Sequence, residues 1–133
     1  MDMNRIEWVR EAKASGLLNC AQAVACAFCE ATGRGAEEMA AMGAAFGNGM
    51  GCMEGTCGAL TGAGLVLGLH YSGDRAKAMK AMRRIMARFQ ERNGATVCKV
   101  LKGIETGRVL RACPDCVADA AEFLENELTG EDE

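Results

Sequence analysis

Several things are nearly missing from this sequence of 133 residues: it has one proline, one tryptophan, one tyrosine and one histidine, and aromatics make up 5 % of the chain. With so few rings, a core has to be built from Ala, Leu, Val and Met, and small side chains imply helices that approach closely. No stretch alternates apolar and polar residues long enough to suggest a strand, so an all-α fold is expected. Basic charge is not in excess either. The formal net charge is -3, with Lys and Arg mixed among Asp and Glu, which gives no field for a phosphate backbone and argues against nucleic acid as a partner.

Other absences exclude further classes. The start, "MDMNRIEWVREAK", lacks the order of a secretory signal, which suggests a cytoplasmic protein. The uncharged run from Gly55 to about Ser72 approaches the roughly 20 apolar residues of a membrane helix. Gly, Thr, His and Ser dilute it, so no membrane span is expected. One histidine gives no basis for a Ser-His-Asp arrangement. The loop "GNGMG" has neither the preceding strand nor the following lysine of a phosphate cradle.

What is abundant is cysteine, eight in all, at positions 20, 26, 29, 52, 57, 98, 113 and 116. In a chain with no export signal and ample material for a core, metal ligation or redox chemistry is a better reading than a disulfide framework. Caps and glycine stops mark about six to seven helices in one domain, residues 1–133, with an acidic tail over 129–133. The first runs from about Asn4 to Ser15 with Ile6, Val9 and Trp8 inward. The second is a continuous helix from Asn19 to Gly33, and the third spans about Gly35 to Phe46. After the glycine loop, Thr56 caps "CGALTGAGLVLGLHY". Asp74 caps a long helix whose Met79, Met82, Ile85, Met86 and Phe89 form an apolar stripe of core type. Thr96 caps the short "VCKVLK", and Pro114 opens the last helix.

On this map Cys20, Cys57, Cys98 and Cys113 each fall in or beside the first turn of a helix. Free N–H groups and the positive dipole end favour the thiolate there, the form that binds metals and attacks disulfides. Four such thiols can converge on one metal or iron–sulfur site. Cys26 and Cys29, set mid-helix, read instead as packing residues, because a continuous helix lacks the turn with which a C-x-x-C grips zinc. "CPDC" is a rival: Cys113 as nucleophile and Cys116 as resolving thiol, though without the βαβ context of a thioredoxin. Cys52, in the glycine loop, is open to a role as ligand, resolving thiol or neither. His70, at a helix C-terminus, reads as a dipole partner.

The stretches "NCAQAV", "FGNGMG", "CGALTG", "CKVLKG" and "CPDCVADAAEFLE", in this order, resemble the family of small bacterial and archaeal proteins labelled C_GCAxxG_C_C, named as redox-active for its cysteines. The resemblance puts the four family cysteines on Cys20, Cys57, Cys98 and Cys113, leaving Cys26, Cys29, Cys52 and Cys116 outside the pattern. It also relates the chain to the iron–sulfur part of split-Soret cytochromes, without their haem, since no C-x-x-C-H motif is present.

The expectation is therefore an electron-transfer protein with an iron–sulfur cluster on Cys20, Cys57, Cys98 and Cys113 and a redox partner protein. The alternatives are a thiol–disulfide oxidoreductase or sensor using Cys113 with Cys116 or Cys52 with Cys57, a structural zinc site, or a helical module without catalysis. Gly58 and Gly62, four apart on one helix face, are expected to let a second cysteine-bearing helix come close. The glycine and alanine faces also suggest a homodimer.

Overall fold

The computed structural model describes residues 4–130, and these form helices joined by short turns. The helices are α1 (Arg5–Ala14), α2 (Cys20–Ala27), α3 (Cys29–Thr32), α4 (Ala36–Gly43), α5 (Gly58–His70), α6 (Arg75–Asn93), α7 (Cys98–Lys102) and α8 (Cys113–Thr129), with a π-helical turn at Gly49–Met53 before α5. Among the described residues there is no strand, only an isolated antiparallel bridge between Thr56 and Val97. No described helix is long and apolar enough to cross a membrane. Most of the acidic tail expected over 129–133 lies outside the described residues.

Local chemistry accounts for most helix ends. Asn4 accepts from the Glu7 N–H at 3.0 Å. Asn19 and Gln22 form a reciprocal capping box at 2.8 and 3.0 Å, which satisfies two of the backbone groups orphaned at a helix start. Asp74 accepts from Lys77 N–H at 3.1 Å. α3, α6, α7 and α8 stop at Gly33, Gly94, Gly103 and Gly130, all left-handed, a conformation that L side chains resist.

α5 sits in the middle, packed on α2, α6 and α8, while α1 lies along α8. Val24, Phe28, Leu60, Val66, Ile85, Phe89 and Leu124 are fully enclosed between them, each contributing roughly 1.5–3 kcal/mol by leaving water. The closest approach is α2 to α5. A Cβ on Gly62 would stand 2.6 Å from the Ala21 carbonyl oxygen, and one on Gly58 would stand 3.2 Å from the Ala21 nitrogen, so only glycine permits this spacing. Across α6 and α8, buried Glu127 takes a two-pronged bond from Arg84 at 2.8 and 2.9 Å. Buried Asp119 is held by Arg92 and Arg111 and by Asn93 at 3.0–3.1 Å.

Four expectations need correction. The second helix is not continuous: α2 ends at Ala27, and Phe28, at φ -112° and ψ 23°, separates it from α3. Its ring is wholly buried, so core packing rather than a local breaker turns the chain. Thr56 and Thr96 do not cap their helices, because both are taken up by the bridge segment, and Cys57 and Val97 occupy the cap positions. Trp8 is 41 % exposed and Met79 50 % exposed. Each sits at the solvent edge of its helix, while Val9, Ile85 and Phe89 turn inward.

Candidate functional site

Two short backbone segments, far apart in sequence, run side by side just before α5 and α7. The Cys57 N–H donates to the Thr96 carbonyl at 2.7 Å, and the Cys98 N–H donates to the Gly55 carbonyl at 2.9 Å. These two bonds clamp Cys57 and Cys98 next to one another at the starts of two helices. The turn at Gly49–Met53 folds over them, and a Cβ on Gly49 would collide with the Cβ of Cys98, so the backbone passes directly over that cysteine.

Cys20 reaches the same place from the start of α2, which Gly58 allows to lie against α5. Cys113 and Cys116 reach it from the first turn of α8, where a residue and its third successor share one face. The five thiols, with Asn48, Lys102 and Arg111, line a cavity of about 10 Å³, roughly the least that admits one water molecule. Cys20, Cys57, Cys98 and Cys116 are buried and Cys113 half-buried.

The thiols bond in pairs. Cys20 shares a hydrogen bond with Cys113 and Cys116 with Cys57, while the Cys116 thiol donates to the Arg111 carbonyl at 3.7 Å. Hydrogen bonding from Cys20, aided by the Lys102 and Lys13 charges, brings the Cys113 thiol down to about 6 from an ordinary value of 9.0, against the opposing effect of burial. Cys57 is also lowered, by the bond from Cys116 and by the Ala59 and Leu60 N–H groups at the start of α5. Their partners go the other way, since Cys20 and Cys116 are held protonated by those same bonds and by burial. Burial raises Cys98, with Lys102 opposing. In each pair one thiol is thus disposed to ionise and the other to keep its proton.

The polar surroundings are fixed in turn. Lys102 donates to Asn48 Oδ1 at 2.8 Å, and the Arg111 guanidinium is held over the cavity by Asp119. Two cations at its wall offset the charge of a thiolate centre.

Among the described residues no group of three or more His, Cys, Asp or Glu side chains is set to close on a metal ion as it stands. The donor set nevertheless suits a thiolate-bound centre, because soft sulfur ligands select zinc or iron–sulfur units. A tetrahedral ion at a Zn–S distance of about 2.3 Å sits among the sulfurs themselves and needs little free volume. A cluster, which adds sulfide ions and more than one iron, needs its ligating sulfurs to turn outward from a void the size of one water.

The four helix-start cysteines, Cys20, Cys57, Cys98 and Cys113, all line this cavity. Cys52 does not; it is exposed, with its Sγ 3.8 Å from the Gly49 carbonyl. Cys26 and Cys29 are half-buried elsewhere. His70 Nδ1 meets the Ala31 carbonyl at 2.9 Å, joining the end of α5 to α3. Sequence reasoning placed Cys116 outside the main set, although its spacing from Cys113 already put both on one helix face. Lys102, Asn48 and Arg111 carried no local signal.

A family model described as "Putative redox-active protein (C_GCAxxG_C_C)" matches residues 18–127. No curated protein and no solved structure matches the chain.

Proposed function

Since the chain belongs to the C_GCAxxG_C_C family, we propose that it is an electron-transfer protein whose redox centre is an iron–sulfur cluster held by Cys20, Cys57, Cys98 and Cys113. The observation that carries this reading is the convergence of these thiols, from four separate helices, on one cavity. A bound cluster supplies one-electron chemistry at a potential set by its surroundings. Cys57 and Cys113 are the thiols readiest to bind, being already disposed to ionise. Cys20 and Cys98 give up protons on binding, so loading releases protons and is favoured as pH rises. The Ala59 and Leu60 N–H groups and the Lys102 and Arg111 cations stabilise added negative charge. A reducing compartment such as the cytoplasm and a redox partner protein follow from this reading, and a homodimer suits its small-residue faces.

The test is anaerobic reconstitution with iron and sulfide, followed by metal and sulfide analysis and visible absorption. The expected result is stoichiometric iron and sulfide with charge-transfer bands, both lost in Cys98→Ser. Protein that stays colourless and iron-free after reconstitution overturns the proposal, and zinc without sulfide points to a structural site.

One observation favours a second reading, thiol–disulfide exchange. The thiols are paired as Cys20 with Cys113 and Cys57 with Cys116, each with one thiol disposed to ionise beside one that keeps its proton. In this reading Cys113 attacks and Cys20 resolves, rather than Cys116 or Cys52. Mapping of disulfides after mild oxidation separates the two readings.

A further inference from the structure

A second pair of thiols lies away from that cavity. Cys26 and Cys29 are both half-buried, and with Arg5, Trp8, Ala27 and Glu30 they line an open hollow of about 320 Å³. Within a regular helix, side chains three apart hold their Cβ atoms about 5–6 Å apart, farther than the roughly 3.5–4.5 Å of a disulfide. Here the helix is not regular. It stops at Ala27, Phe28 departs from helical geometry, and Cys29 opens the four-residue α3.

The joint between the two cysteines departs from regular helix geometry, so the regular-helix spacing does not hold between them. The two sulfurs are near enough for charge on Cys29 to disfavour charge on Cys26. The Cys26 thiol is also engaged with the Ala36 carbonyl at 3.4 Å. Arg5, bound to Glu30 at 3.1 Å and set 4.8 Å over the Phe28 ring, places a cation at the rim of the hollow.

We propose that Cys26 and Cys29 form a surface dithiol that reduces low-molecular-weight disulfides bound in this hollow. Cys29, the thiol not tied to a backbone carbonyl, loses its proton to water and attacks one sulfur of the substrate RSSR. A protein–substrate disulfide forms, and the first RS⁻ leaves and is protonated. Cys26, after losing its own proton, attacks the Cys29 sulfur, forms the Cys26–Cys29 bond and displaces the second RS⁻, which is protonated in turn. The chain gives up two electrons and two protons, and the substrate becomes two thiols. The dithiol is then restored by a thiol reductant.

The hollow also contains a reporter, because Trp8 lines it and is the only tryptophan in the chain. The experiment treats the full-length protein with glutathione disulfide, blocks remaining thiols with iodoacetamide and sequences the peptides by mass spectrometry while following Trp8 emission. The expected result is a closed Cys26–Cys29 disulfide, two glutathione thiols released per Cys26–Cys29 bond formed and quenched emission. The variants Cys26→Ser and Cys29→Ser separate the roles: the first should stop at a stable glutathione adduct on Cys29, and the second should release no glutathione from this site. Both positions are partly exposed, and circular dichroism checks that the serine variants fold. Full alkylation of both cysteines after exposure, or an adduct in the wild type that never closes, overturns the proposal. Closure with unchanged Trp8 emission overturns the placement of the reaction in this hollow. Because neither cysteine lines the buried cavity, iron and sulfide content reports on that centre separately.

Discussion

Replacing Gly62 by alanine tests the close approach on which the thiol centre depends. Alanine in place of glycine inside a helix is worth about 1 kcal/mol in favour of the folded state. At Gly62 the added methyl group would stand 2.6 Å from the Ala21 carbonyl oxygen and 3.1 Å from its Cα. These are backbone atoms with no rotamer to change, so α2 and α5 must separate, at an overpacking cost of about 1–3 kcal/mol or somewhat more. The net expectation is destabilisation of about 1–2 kcal/mol. Gly68, on the same helix, is the control, because nothing lies within 4 Å of a Cβ built there. Gly68→Ala should therefore stabilise by somewhat under about 1 kcal/mol. Urea unfolding of the two variants should show midpoints displaced in opposite directions, a gap of about 2–3 kcal/mol. Because α2 carries Cys20 and the start of α5 carries Cys57, Gly62→Ala should also lower iron retention after reconstitution, and Gly68→Ala should leave it unchanged. If Gly62→Ala is as stable as Gly68→Ala and holds as much iron, the claim that backbone contact at this point positions the cysteines is refuted.

In the metal-free protein, Cys113 alkylation should rise with pH around about 6 rather than 9.0, and Lys102→Met should move that rise to higher pH by removing a charge that favours the thiolate. The folded chain ionises Cys113 more readily than the unfolded chain. Its contribution to stability is accordingly lost as pH falls through about 6 and grows toward 9, where Cys20 is still held protonated; urea midpoints at several pH values read this directly. Asp119→Asn leaves Arg92 and Arg111 without their buried carboxylate and, since both arginines are partly exposed and Arg92 keeps Glu122, should cost about 1–3 kcal/mol in urea unfolding. It should also loosen Arg111 over the cavity and so slow Cys113 alkylation less than Lys102→Met does.

Much of the fold was legible because helix ends are local. Asn4, Asn19 and Asp74 cap through their own side chains, and Gly33 and Gly94 stop helices by adopting a conformation that other residues resist. The break at Phe28 was not, since "CAFCEAT" contains neither glycine nor proline and the turn is imposed by burial of the ring. Thr56 and Thr96 have good capping chemistry, yet they are drawn into a bridge between segments distant in sequence, a pairing with no local signature. For the site, the helix-start positions of Cys20, Cys57, Cys98 and Cys113 could be read from the cap-type residues Asn19, Thr56 and Thr96 and from Pro114 beside them, even though Thr56 and Thr96 do not themselves cap. The inclusion of Cys116 and the arrival of Asn48, Lys102 and Arg111 at the cavity wall depend on how α7, α8 and the π-helical turn pack.

The bridge between the strand-like segments at Thr56 and Val97 also governs when the thiol centre comes into being. Contacts between residues distant in the chain form only after the loop between them closes, and here α5 and all of α6 lie in that loop. Synthesis proceeds at about 5–20 residues per second, so Cys20 and Cys57 spend seconds as separate thiols before Cys98 and Cys113 are made. A nascent chain therefore displays reactive cysteines without the geometry that pairs them. Any metal that arrives before α8 is made therefore meets an incomplete set of thiols, because Cys113 and Cys116 enter only with that helix.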